Sequence, residues 1–426
     1  MRRFRRLWIV AVGIGAAIAS IGASTPGALR SPSSWTQFRL LDTANAVVPG
    51  TLTAAWRAKT GAPFSSSPTI SGTTLYIGDN AGTLRAFDVT SGKVLWSAQV
   101  SKPLMSAPLL YGGLAIVGEG DEGSPSNATP NQPVHVGSGE SALLAYDQHT
   151  GALRWRVPLP GSGMPTPAIV HGILVQQNGA GSLYGVDPQT GRVIYTRDLH
   201  SIASMSAAIP IGQDAFVSSG TAENAVLLLD AASGNVLQKY LFAPNASGFG
   251  DCPVVWNGKY VLCDYTIPPY GSVPQQTDRF ANERAFAVDP RAGKRIWDVY
   301  LERGSLPRRN EAAIPLLAYN TLYCGSSVAP YMHALDPATG AIKWRRQVRG
   351  NVLGGIVAAG GAVYFGDLSG YLWALDAKTG AVIGDWYAAT PFNVGSPIIA
   401  GQTLVIGSRG GTLIAVPLYR IRTSHN

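Results

Sequence analysis

LRAFDVTSGKVLW, residues 84–96, decides the fold, because the pattern comes back six more times. The other copies are LLAYDQHTGALRW (143–155), LYGVDPQTGRVIY (183–195), VLLLDAASGNVLQ (226–238), AFAVDPRAGKRIW (285–297), MHALDPATGAIKW (332–344) and LWALDAKTGAVIG (372–384). Each holds an apolar run, an aspartate, a glycine and, in five copies, an aromatic residue eight positions after the aspartate. The aspartates are Asp88, Asp147, Asp187, Asp230, Asp289, Asp336 and Asp376, between 40 and 59 residues apart. A period near 40 with several short apolar runs per unit is the signature of propeller blades.

The parts of the repeat have separate physical roles. An aspartate can accept hydrogen bonds from the amides of its own turn, and glycine can take the positive φ that such a turn needs. The aromatic, Trp96, Trp155, Tyr195, Trp297 or Trp344, has a constant phase in the fourth strand. It is placed to wedge its ring against the next blade. These residues are therefore read as structural.

The last copy, SPIIAGQTLVIGSRGGTLIAVPLY (396–419), ends after three strands, and TLTAAWRAKTG (51–61) is a strand without a repeat of its own. Trp56 matches the fourth-strand Trp of the other copies. The expected fold is all-β: an eight-bladed propeller of four-stranded antiparallel blades, with the last blade closed by the N-terminal strand. That closure removes an open sheet edge.

Composition fits many short strands. The chain of 426 residues is 46% hydrophobic and only 14% charged, with 50 glycines, against about 25% charged in an ordinary domain. The net charge is +8, but Arg2, Arg3, Arg5 and Arg6 carry half of it, leaving a mildly basic body. No run of Lys and Arg interleaved with aromatics follows, so nucleic acid is excluded as an expected partner. Residues 1–24 read as a secretory signal: an Arg-rich start, an apolar run, then small residues such as Ala17-Ile18-Ala19. Residues 7–23 are also close to the length of a membrane anchor, so contact with a membrane depends on whether the signal is cleaved. The expected organisation is signal or anchor 1–24, lead-in 25–50, one propeller domain 51–419 and a tail 420–426. The protein is expected to be exported, to the periplasm or beyond.

Departures from the repeat point to a site. Insertions occupy 119–141 and 265–285, each between the second and third strands of a blade, and the connection 302–312 is long. In a propeller such loops emerge at one face, and binding residues sit on loops carried by a rigid scaffold. The first strand of each blade starts at that face. Its first residues are small and neutral at Ser66-Ser67, Ser106-Ala107, Thr166, Ser206-Ala207, Gly354-Gly355 and Gly395-Ser396. In the fifth copy they are Asp251 and Cys252, and in the sixth Glu311 and Ala312, preceded by Arg308, Arg309 and Asn310. Two carboxylates beside two guanidiniums suit acid/base chemistry on a small anion. Asp251 as a turn-capping residue, the arginines as solvated surface and Glu311 as their ion partner remain open alternatives.

The three cysteines are Cys252, Cys263 and Cys324. A two-residue turn at Asn257-Gly258 would pair Trp256 with Lys259 and set Cys252 across from Cys263, either as a disulfide or, reduced, with Cys252 as a nucleophile. Cys324 reads as a small core residue. The six histidines (His135, His149, His171, His200, His333, His425) lack metal-ligand spacing, so no metal site is expected.

The spacing and the A-x-D-x-x-T-G-x-x-x-W signature resemble the PQQ-like propeller superfamily over residues 51–419. It includes quinoprotein dehydrogenases, scaffolds of the BamB type and tetrathionate hydrolases. Similarity to the hydrolases implies a cofactor-independent enzyme acting on a linear sulfur dianion, with Asp251 and Glu311 catalytic, Arg308, Arg309 and Asn310 binding sulfonate oxygens, and Cys252, if not in a disulfide with Cys263, carrying sulfane sulfur. Similarity to the scaffolds implies a non-catalytic propeller that binds envelope proteins through its loops. Similarity to the dehydrogenases implies PQQ with calcium, against which this chain has no adjacent cysteine pair and is short.

Overall fold

The computed structural model describes residues 47–121, 137, 139–200, 203, 205–220, 225–241, 255–267, 280–305 and 313–423, all within the compact unit Pro32–Asn426. It is an eight-bladed β-propeller. Blades 1 to 7 span 69–99, 109–160, 168–198, 209–241, 255–305, 316–347 and 357–387, each with four antiparallel strands joined in sequence order. Blade 8 takes three strands from 398–417 and its fourth from Trp56–Lys59, which pairs antiparallel with Thr412–Pro417 in the register Trp56↔Ala415. The expected closure is therefore present. First strands of neighbouring blades touch one another and form the inner ring.

The repeat motif is the joint between blades. Asp147 Oδ1 accepts from the amides of His149 and Thr150, both 3.0 Å away, and from the Thr150 hydroxyl at 3.1 Å. Those bonds hold its carboxyl below the usual range. The indole of the preceding blade then lands on this turn. Trp56 Nε1 donates to the carbonyl of Val89 (2.8 Å), Trp155 to Pro188 (3.2 Å), Trp297 to Pro337 (3.2 Å) and Trp344 to Ala377 (3.1 Å). The glycine is needed twice over. Gly151 has φ +70°, and a Cβ there would stand 2.6 Å from the Trp96 ring.

Two joints lack the aromatic. Gln238 takes its place in blade 4, and a Cβ on Gly293 would sit 2.9 Å from Gln238 Cδ. In blade 7 the slot is Gly384, packed so closely that its Cβ would lie 2.4 Å from the carbonyl of Ile421. The helical turn Leu418–Ile421 fills the space a Trp would occupy, burying Leu418 and Ile421 beside Trp386 and Ile383. One further element stands ahead of the closing strand. Val47–Val48 pairs in parallel with the first strand of blade 8 on its inner edge.

Blade 5 corrects the expected insertion. Its second strand runs to Ile267, its third starts at Phe280, and Ile267 pairs with Asn282. Its fourth strand, Lys294–Ser305, has 12 residues and pairs with the third as far as Phe280↔Ser305. The two ends of 265–285, at 265–267 and 280–285, are thus sheet. Glu302 to Ser305 is strand and not connection, because the partner strand is long enough to hold it.

Candidate functional site

Turns after second strands and connections between blades share one face, and buried polar side chains hold that face together. Asp79 follows the second strand of blade 1. Its Oδ1 accepts from the amides of Ala81 and Thr83, each 3.0 Å away, and its Oδ2 pairs with Arg85. Asp367 does the same in blade 7 for Ser369 (2.9 Å) and Tyr371 (3.0 Å), while its Oδ2 accepts from Gly350 in the preceding connection (3.1 Å) and from Trp373 Nε1 (2.8 Å). Asn178 closes the turn in blade 3. Glu119 opens the insertion of blade 2, and its Oε2 accepts from the amide (3.0 Å) and hydroxyl (2.9 Å) of Ser101 in the connection between blades 1 and 2. Turns after second strands and blade-to-blade connections therefore meet at one end of the propeller.

The inner ring at this mouth explains why first-strand starts are small. Ser66 Oγ donates to the carbonyl of Ser106 (2.7 Å), Ala107 N to Thr166 Oγ1 (3.0 Å) and Ser396 N to Ser67 Oγ (2.8 Å), each across a blade boundary. A Cβ on Gly354 would lie 2.6 Å from the carbonyl of Asn393, and one on Gly395 2.6 Å from that of Ser66. Neighbouring blades approach closely here, and the slot holds Gly, Ala, Ser or Thr in these copies. In blade 6 it holds Ala313 and Ile314, the latter bridging Gly355, so the expected start at Glu311-Ala312 is corrected by two residues. Ser396 Oγ and Gln176 Oε1 are buried without a partner among the described residues. The described mouth thus offers neutral hydroxyls and amides, most already bonded to protein.

The charged residues expected at the site lie outside the described residues: Asp251, Cys252, Arg308, Arg309, Asn310 and Glu311. Cys263 falls in the second strand of blade 5, opposite Phe286. The hairpin register is corrected. Trp256 pairs with Val261 and Val255 with Leu262, so the turn spans Asn257–Tyr260 and not two residues. Asn257 is the reason: its Oδ1 accepts from the amides of Lys259 (2.9 Å) and Tyr260 (2.6 Å), which widens the loop. The pairing of Cys252 with Cys263 rests on Trp256 opposite Lys259, which is not the observed register; Cys252 itself lies outside the described residues. Cys324 is buried in the core as expected.

Sequence reasoning passed over one cluster. His333, set aside as a scattered histidine, is fully buried and shares a hydrogen bond with Glu302 (3.0 Å), to which Arg345 also donates; Glu283 is buried nearby. Burial works against ionisation of Glu302, but the bonds from His333 and Arg345 prevail and hold its carboxyl down to about 2. The available signal was register. His333 stands in the repeat position held elsewhere by Arg85, Leu144, Tyr184, Leu227, Phe286 and Trp373, so a histidine there had to be buried or paired.

A model describing outer membrane protein assembly factor BamB matches residues 43–126, 122–248 and 281–419. The chain belongs to this PQQ-like propeller family. The matched stretches leave out 249–280, which holds Asp251, Cys252 and the insertion of blade 5. Among curated relatives, the tetrathionate hydrolase of Acidithiobacillus ferrooxidans is 25% identical over 356 residues, covering 79% of this chain and 69% of that protein. Outer membrane protein assembly factor BamB of Bordetella pertussis is 22% identical over 384 residues, covering 85% and 86%. The crystal structure of BamB from Moraxella catarrhalis superposes with a TM-score of 0.59 at 15% identity, covering 86% of this chain and 99% of that one. The structural likeness concerns the fold alone. A calcium-bound quinone would need several converging oxygen ligands. Among the described residues no group of three or more His, Cys, Asp or Glu side chains is arranged to hold a metal ion. No helix among the described residues is long and apolar enough to cross a membrane.

Proposed function

We propose that this chain is an exported propeller hydrolase of a small sulfur oxyanion, tetrathionate or a close chemical relative, acting at the insertion-bearing mouth. The observation that carries this reading is similarity to tetrathionate hydrolases over about four-fifths of the chain. It coincides with 249–280, which the family model does not match, where the sequence repeat aligns Asp251 with Ser66, Ser106, Ser206, Gly354 and Gly395 of other copies. In this reading Arg308 and Arg309 hold sulfonate oxygens with Asn310, since guanidinium forks match such groups. Water adds to one sulfonate sulfur and the adjoining S–S bond breaks. Its electron pair leaves on the neighbouring sulfur, giving sulfate and a disulfane monosulfonate that loses one sulfane sulfur to become thiosulfate, and Asp251 takes the proton of the attacking water. Glu311 orients the water or an arginine. No cofactor takes part.

The test is incubation of the purified protein with tetrathionate at acidic pH, following its loss and the release of thiosulfate and sulfate. Turnover that falls at least about 100-fold in Asp251→Ala supports the reading; a wild-type protein without turnover refutes it. A non-catalytic envelope scaffold is the second reading, favoured by matched coverage of 85% and 86% with a BamB. It expects a wild-type protein inert toward tetrathionate that retains envelope proteins in pull-downs, unaffected by Asp251→Ala.

A further inference from the structure

Between blades 5 and 6 the fold buries a charged cluster that the mouth chemistry does not use. Glu283 and Glu302 are direct cross-strand partners in the third and fourth strands of blade 5. A bulge follows at once, with Leu301 as the extra residue before Tyr300 pairs with Arg284. Facing them, His333 and Arg345 are cross-strand partners in blade 6. Glu302 joins the two blades. Its Oε1 accepts from Nε2 of His333 (3.0 Å) and from Nε of Arg345, and its Oε2 from Nη2 of Arg345 (2.9 Å). The Arg345 guanidinium lies 3.4 Å from the centre of the Tyr331 ring.

Glu283 is held from one side only. Its Oε1 accepts from the amide (2.8 Å) and hydroxyl (3.1 Å) of Ser327. Its Oε2 and the Nδ1 of His333 are buried with no partner among the described residues. The groups around Glu283 can be counted by element. The second strand of blade 5 sets Thr266 across from it. The fourth brings Glu302, and next to that Arg303, whose guanidinium lies over Phe280. Blade 6 brings Ser326 and Ser327 from its turn, His333 and Tyr331 from its third strand, and Arg345 from its fourth. Arg284, beside Glu283, bonds Asp298 at 2.7 Å, and Arg295 reaches the same carboxylate at 2.9 Å.

Charge balance with a neutral His333 favours a neutral Glu283. Arg345 and Glu302 cancel. An ionised Glu283 would then be an uncompensated buried anion directly across from a second carboxylate, which is costly in a low-dielectric interior. Protonated, Glu283 is neutral and its Oε2 becomes a donor. His333, donating through Nε2 to Glu302, offers Nδ1 as an acceptor. One orphan atom is then a donor and the other an acceptor, though the two do not bond each other.

We propose that Glu283 is a buried proton-binding residue that makes the joint between blades 5 and 6 acid-favoured: the joint is complete while Glu283 holds its proton and loosens as that proton is lost. Burial pushes the Glu283 carboxyl above its ordinary value, and bonds from Ser326 and Ser327 offset this only in part. The sign follows from linkage. A carboxyl raised in the fold contributes stability fully present below its unfolded value of about 4.5, lost as pH rises through the folded value. The inference is independent of what the mouth binds.

The experiment compares wild type with Glu283→Gln, which keeps the shape, removes the proton site and retains a donor. Between about pH 5 and pH 8.5, the wild-type thermal midpoint should fall by about 1–2 °C per pH unit once Glu283 titrates. The variant should lack that component. Infrared spectroscopy of the wild type at about pH 6.5, where an ordinary glutamate is ionised, should show the C=O stretch of a protonated carboxylic acid that disappears on raising the pH. Parallel midpoint profiles for the two proteins overturn the proposal. If the variant does not fold, the infrared titration decides alone, and absence of the acid band in the wild type overturns it.

Discussion

The indole N–H of Trp96, in the fourth strand of blade 1, donates to the carbonyl of Gln148 in the turn of blade 2 at 2.8 Å. The same bond is made by Trp56, Trp155, Trp297 and Trp344, so at five of the joints the repeat encodes its own contact. At those joints the glycine of the turn lies against the face of the indole, leaving no room for a side chain.

Trp155→Ala tests the joint where the ring is most buried. Trp155 is 9% exposed and packs in the core between blades 2 and 3. The substitution should cost about 3–5 kcal/mol, read as a lower urea midpoint.

Ile421→Ala tests the substitute joint. The residue is fully buried in the turn that fills the place of the missing Trp of blade 7. A loss of about 2–4 kcal/mol is expected. A surface control, Tyr419→Ala, should leave the unfolding midpoint nearly unchanged, because Tyr419 is exposed.

Glu302→Gln separates the two glutamates of the buried cluster by pH. Glu302 is lowered from 4.5 to about 2. Its contribution is therefore present above about pH 4.5 and lost as pH falls toward 2, opposite in sign to that of Glu283. At neutral pH the variant should be less stable than wild type by on the order of 2–3 kcal/mol, and the difference should shrink toward pH 2. Denaturant midpoints across that range check it.

The proposed roles at the mouth make a kinetic split. Arg308→Ala should raise KM about tenfold with kcat changed little, because it removes binding to a sulfonate present in substrate and transition state alike. Asp251→Asn should lower kcat at least about 100-fold. Steady-state kinetics with tetrathionate distinguish the two; a reversed pattern contradicts the assigned roles.

The fold was legible in the sequence because its determinants are local and repeated. The A-x-D-x-x-T-G-x-x-x-W unit specifies a turn, a glycine conformation and an aromatic phase within 13 residues, and Trp56 carries the same phase into the closing strand. The small residues at first-strand starts were equally visible, but their cause was not. It lies in carbonyls of the neighbouring blade, as for Gly354 against Asn393 and Gly395 against Ser66.

Other features depend on contacts that no local pattern contains. The hairpin after Trp256 read as a two-residue turn until the Asn257 side chain was seen to accept two amides and widen it. His333 read as scattered because its partners, Glu302 and Arg345, come from a different blade or strand. By itself the amino-acid sequence determined the number of blades, the closing strand and the residues that join one blade to the next, since each is written in the period and phase of one short motif. Only the tertiary structure decided the register of blade 5, the filling of the Gly384 gap by the C-terminal turn and the burial of Glu283 beside His333. Those depend on which distant side chains meet, and on the cost of leaving a buried polar group or an empty space without a partner.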